Sequence, residues 1–78
     1  MSGRRKRVAP DPSIGYRAAE CVRARWGTPI KFERATNIER KAVHCWGHGQ
    51  NPSAQALQAL CEWGIDVVYI LTGRLQDE

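Results

Sequence analysis

Helix-stopping residues recur through this chain at short intervals, and they limit what it can build. Gly27, Asn37, Gly47 with Gly49, Gly64 and Gly73 each follow a segment whose apolar residues recur at helical spacing. No helix can run past such a stop without cost, so the chain must bury its apolar faces by packing several short helices on one another. With 78 residues there is material for one domain with a small core. An enclosed active site with its own supporting shell is hard to accommodate at that size.

The start signals alternate with the stops. Residues 1–12, MSGRRKRVAPDP, hold a basic block and two prolines with almost nothing to bury. They read as a flexible basic N-terminal arm, and residues 13–78 as the folded domain. Ser13 is the expected N-cap of a first helix in which Ile14, Ala18, Val22 and Trp26 line one face, with Cys21 beside them. Thr28-Pro29 starts a second helix at about 29–36, with Phe32, Ala35 and Thr36 facing inward. Asn37 suits the left-handed conformation of a tight turn, and Ile38 fills the corner. A third helix at about 39–47 buries Val43 and Trp46, with Ala42 on the same side. Ser53 caps a fourth helix containing Ala56, Leu57, Leu60 and Cys61, and Cys61 is expected to be buried. Asp66 caps a fifth over the segment Val67-Val68-Tyr69-Ile70-Leu71, and Ile65 and Ile70 are spaced as a hydrophobic staple. The expected fold is all-α with five helices.

Two short helices joined by a tight turn, with inner residues Phe32, Ile38, Val43 and Trp46, form a helix-turn-helix pattern. The opposite side of the second member holds Arg40, Lys41, His44, Cys45 and His48, a polar and cationic face narrow enough for a DNA major groove. Charge points the same way. Residues 1–48 carry eleven Lys or Arg against four Asp or Glu, whereas residues 49–78 carry one against four. A basic half of this kind suits a polyanion, nucleic acid before an anionic membrane.

The stretch IKFERATNIERKAVHCWGHGQNPS, followed by LCEWGIDVVYILTGR, resembles the lambda-repressor-like domain of the Cro and Xre families. The resemblance runs from Thr28 to Arg74. It rests on the helix-turn-helix, on an exit loop with Trp46, Gly49, Pro52 and Ser53, and on the Leu71-Thr72-Gly73 ending. The family usually has a small residue where Glu33 stands, Gly where Asn37 stands, and Ser or Thr where Glu39 stands. Pro29 takes a place where Gln is frequent.

The resemblance implies a five-helix lambda-repressor-like bundle and a sequence-specific, double-stranded DNA-binding transcriptional regulator. In that family the second helix of the pair reads bases, which assigns Glu39, Arg40, Lys41, His44, Cys45 and His48 to base contacts. Arg or Lys can donate to guanine and Glu39 can accept from cytosine. Thr28, Lys31, Gln50 and Asn51, with Arg4, Arg5, Lys6 and Arg7 of the arm, are the expected phosphate contacts. The implied mode is a Cro-like phage or prophage repressor, a homodimer that sits on an operator in the cytoplasm, at the nucleoid of a bacterial or phage-infected cell. The apolar last helix, with Trp63, Val67, Tyr69, Ile70 and Leu75, is the expected dimer interface. A DNA-binding antitoxin or autoregulator with a protein partner is the alternative, and a pure protein adaptor a third reading.

Other classes find little support. No apolar run reaches the roughly 20 residues of a membrane span. Cys21, Cys45 and Cys61 include no closely spaced pair, which argues against a disulfide framework. His44, Cys45 and His48 lack a fourth partner at structural-zinc spacing, so no metal or other cofactor is expected. No nucleophile–base pair and no phosphate-cradling glycine loop suggests an enzyme or a small-molecule substrate.

Overall fold

From the second helix onward, the local start signals act close to where the sequence places them. In the computed structural model, which describes residues 12–74, five helices form and no strand does among the described residues. They are α1 (Pro12–Trp26), α2 (Pro29–Thr36), α3 (Arg40–Trp46), α4 (Ala54–Glu62) and α5 (Val67–Thr72). The Thr28 hydroxyl accepts from the Lys31 N–H, Ser53 Oγ from Ala56 N–H, and Asp66 Oδ1 from Tyr69 N–H. Each satisfies a donor that the first turn of its helix leaves unpaired. Asn37 adopts φ 66° and donates its N–H to the Glu33 carbonyl, closing α2. At the end of α4, Ile65 N–H reaches the Leu60 carbonyl and Gly64 N–H the Cys61 carbonyl. That paired arrangement requires a left-handed residue at position 64, where glycine sits at φ 84°.

The first helix starts two residues earlier than its sequence suggests, at Pro12 rather than Ile14. Pro12 occupies the first helical position, where its fixed φ and missing N–H cost nothing, so Ser13 lies inside the first turn rather than capping it.

The core is one cluster: Ala18, Ala19, Val22, Phe32, Val43, Trp46, Ala56, Leu60 and Ile70. Every helix contributes, and α1 packs against α2, α3 and α5. Ile14, Trp26, Ile38, Ala42, Leu57, Ile65 and Val67 pack around it half-buried. Aromatic rings link the layers edge to face. Trp26 meets Phe32 at 5.0 Å and Trp63 at 5.7 Å, and Phe32 meets Trp46 at 6.0 Å.

Three expectations about burial are corrected here. Ala35 is exposed, because α2 turns only its Phe32 and Thr36 side toward α1 and α3. Cys61 is exposed too, since Leu60 beside it takes the inward position on α4. Ile70 is fully buried, so it belongs to the core and offers nothing to a dimer interface.

The attachment of α5 to α1 is polar as well as apolar. Arg17 Nε donates to the Ile70 carbonyl at 2.9 Å, at a helix end where carbonyls lack partners. Its guanidinium lies 6.0 Å from the Tyr69 ring centre. Tyr69 Oη donates to Glu20 Oε1 at 3.0 Å, which holds the phenol in its protonated form and raises its pKa. Among the described residues no helix is long and apolar enough to cross a membrane.

Candidate nucleic-acid interface

The outer face of α3 follows from how it is buried. Val43 and Trp46, three apart, point into the core, and Ala42 packs beside them. At 3.6 residues per turn the opposite side is then centred on Lys41 and His44. Both are exposed. Arg40 and Cys45 flank that centre on opposite sides, and the two flanks differ.

On one flank, Arg40 is tied to α2. Its N–H donates to Glu33 Oε2 at 3.3 Å, and its guanidinium stands 3.9 Å from Glu33 Oε1. Glu39 occupies the N-cap position of α3 but makes no side-chain cap. The carboxylate of Glu33 therefore serves the first turn of α3 from the neighbouring helix. A negative charge there also complements the helix dipole. Glu33 and Glu39 are thus not equivalent: Glu33 couples the two helices, and Glu39 is an exposed carboxylate at the helix start.

On the other flank, Cys45 is half-buried and lines a cleft between α3 and α4. Thr36, Asn37 and Ile38 of the turn border this cleft, with Gln50 and Asn51 of the loop and Gln55 of α4. The expectation that Cys45 shares the free outer face is corrected: it is half-buried and lines the cleft. His48 lies just beyond α3, exposed, with its ring 4.4 Å from that of His44.

The flanking phosphate candidates sort by what their backbone already does. Thr28 and Lys31 are exposed at the start of α2, joined by the cap. The N–H groups of His48 and Gln50 both go to the Cys45 carbonyl, and that of Gly49 to the Trp46 carbonyl. Gln50 can therefore offer a phosphate only its side-chain amide, not its main chain. Asn51 is exposed beside it. Arg4, Arg5, Lys6 and Arg7 lie outside the described residues, as does Leu75.

The proposed dimer face also sorts. Trp63 is 41% exposed and meets Trp26 edge to face, with the Arg25 guanidinium 5.7 Å from its ring centre. Val67 packs half-buried on the core and Tyr69 is held by Glu20. The apolar surface that α5 itself presents comes from Val68, 41% exposed, and Leu71, 46% exposed.

Gly15 is a support that the apolar periodicity of α1 does not reveal. A β-carbon there would collide with the Gln50 carbonyl oxygen and come within 2.7 Å of that of Trp46. The backbone of α1 thus lies directly on the end of α3 and the loop that follows, and fixes where both sit. The one hint in the sequence is a glycine inside a helical pattern, which costs stability unless close packing requires it. Among the described residues no three His, Cys, Asp or Glu side chains gather as a metal site. The chain matches no protein-family model, and neither a curated protein nor a solved structure is significantly similar to it.

Proposed function

We propose that this chain is a sequence-specific double-stranded DNA-binding regulator of the lambda-repressor-like type, acting as a Cro-like repressor. One observation carries the reading. Two short helices meet through a three-residue turn with Asn37 left-handed, and the second presents exposed Arg40, Lys41 and His44 away from the core. A helix presented in this way can enter a major groove, where Lys41 or Arg40 donates to guanine O6 and N7. The docking picture is that of lambda repressor, the standard example of this motif.

The Glu33–Arg40 contact bears on specificity. Glu33 draws the exposed Arg40 guanidinium through a weak surface ion pair at 3.9 Å, a tether that competes with a base for Arg40. Lys41 and His44 have no such tether at the centre of the face, so they are the leading base readers. Thr28, Lys31, Gln50 and Asn51 flank the helix pair and hold phosphates. The arm from Arg4 to Arg7 adds charge along the duplex.

One α3 reads only a few base pairs, too few to single out a site in a genome. Pairing through Val68 and Leu71 would double the contacts and set the two recognition helices about 34 Å apart, one DNA turn. Repression is then steric, by occupation of the operator. Selection of bound sites from random duplexes tests the reading. The expected result is a short enriched sequence with two-fold symmetry. Enrichment of no sequence, at low salt as well as at physiological salt, would overturn it.

A further inference from the structure

Two histidines four residues apart close the outer face of α3. His44 and His48 are both exposed, and their ring planes are tilted by 48° with centroids 4.4 Å apart. The His48 ring is held in place, since Nδ1 lies 2.9 Å from the His44 carbonyl oxygen. A carbonyl can only accept, so this bond puts the proton on Nδ1. Nε2 then keeps its lone pair. Metal-binding histidines are commonly prepared in this way, with the second ring nitrogen donating to a backbone carbonyl that fixes tautomer and direction.

We infer that His44 and His48 form a two-point site for a divalent first-row transition-metal ion, with water completing the coordination. The ring spacing is compatible with one shared ion. An imidazole nitrogen binds such an ion at about 2.0–2.1 Å, which puts the ring centre about 3.2 Å from the metal. Two rings at a right angle about the ion then have centroids about 4.5 Å apart, and at the tetrahedral angle about 5.2 Å. The observed 4.4 Å leaves both rings within reach of a single ion. Ni²⁺ and Cu²⁺ suit such a pair, since imidazole serves both well and water can complete their coordination. Cys45 faces the cleft and supplies no third ligand. Lys41 and Arg40 share the face and oppose the dication, so the chelate itself must provide the affinity.

The test contains no DNA, so its result is separate from that of the DNA-binding proposal. Calorimetric titration of the full chain with Ni²⁺ alone should show saturable binding at one site. The second imidazole binds intramolecularly, so His44→Gln and His48→Gln should each weaken that binding by about 100-fold. In NMR spectra of the unaltered chain, substoichiometric Ni²⁺ should broaden the ring protons of both histidines before any others. This second readout stands even where a variant folds poorly. Nickel binding as strong in either variant as in the unaltered chain, or broadening that spares either ring, would overturn the inference.

Discussion

Substituting Gly15 by alanine sets two physical effects against each other, and the structure decides the sign. Inside a helix, Gly→Ala ordinarily stabilises by about 0.5–1 kcal/mol, because glycine loses more backbone entropy on folding. At Gly15 the new methyl would overlap the carbonyl oxygen of Gln50 and lie 2.7 Å from that of Trp46. Both are main-chain atoms. Neither can move without shifting α1 away from the end of α3, which also disturbs the Trp46 ring in the core. Overpacking of this kind costs about 1–3 kcal/mol, and two backbone clashes with no flexible group to yield place it at the upper end. After the propensity gain, Gly15→Ala should destabilise by about 2 kcal/mol. For a domain of this size that lowers the melting temperature by about 8–16 °C. Thermal unfolding followed by circular dichroism measures it. Ala24→Gly, at an exposed position of the same helix, calibrates the propensity term and should cost about 1 kcal/mol. A Gly15→Ala protein that melts at or above the parent temperature would refute the close approach of α1 to α3.

Trp46→Ala should cost about 3–5 kcal/mol, a large part of the about 5–15 kcal/mol that holds a domain, and a melting temperature left unchanged would contradict the packing of α3. Lys41→Ala should cost about 1–3 kcal/mol on the selected DNA site and relax the preference at one base pair; equal weakening on every sequence would make it a phosphate contact instead. Deleting residues 1–7 should flatten the dependence of binding on salt, by about 0.9 in log–log slope for each phosphate that the arm neutralises, and an unaltered slope would remove the arm from the interface. Burial pushes the Cys21 thiol above its ordinary range, with Glu20 and Asp66 adding to the effect, so its thiolate forms only as pH rises further than usual. Alkylation near neutral pH should therefore modify exposed Cys61 first and Cys21 last, with the Cys21 rate climbing only in alkaline buffer. Equal rates at neutral pH, followed by mass spectrometry, would contradict that burial.

Features that act within a turn of helix are legible in the amino-acid order. Thr28, Ser53 and Asp66 cap the helices they precede, and Asn37 turns left-handed where its position demands it. The inward residues Ala18, Val22, Phe32, Val43, Trp46 and Leu60 follow from periodicity, since a helix must bury one stripe whatever covers it. The exposed positions of Arg40, Lys41 and His44 are the complement of that stripe. Whatever depends on the identity of the covering neighbour is settled by packing alone. Glu33 reaches α3 across seven residues, Tyr69 reaches Glu20 across 49, and Arg17 reaches the Ile70 carbonyl across 53. No local signal encodes these partners, because the same side chains would be equally well served by water. For the same reason periodicity leaves Ile70 open to a dimer and Cys45 on the outer face, whereas the core encloses the first and the second lines the cleft beside α4. Gly15 is the sharpest case: its role lies in a side chain it lacks, and only the carbonyls of Trp46 and Gln50 in that space explain it.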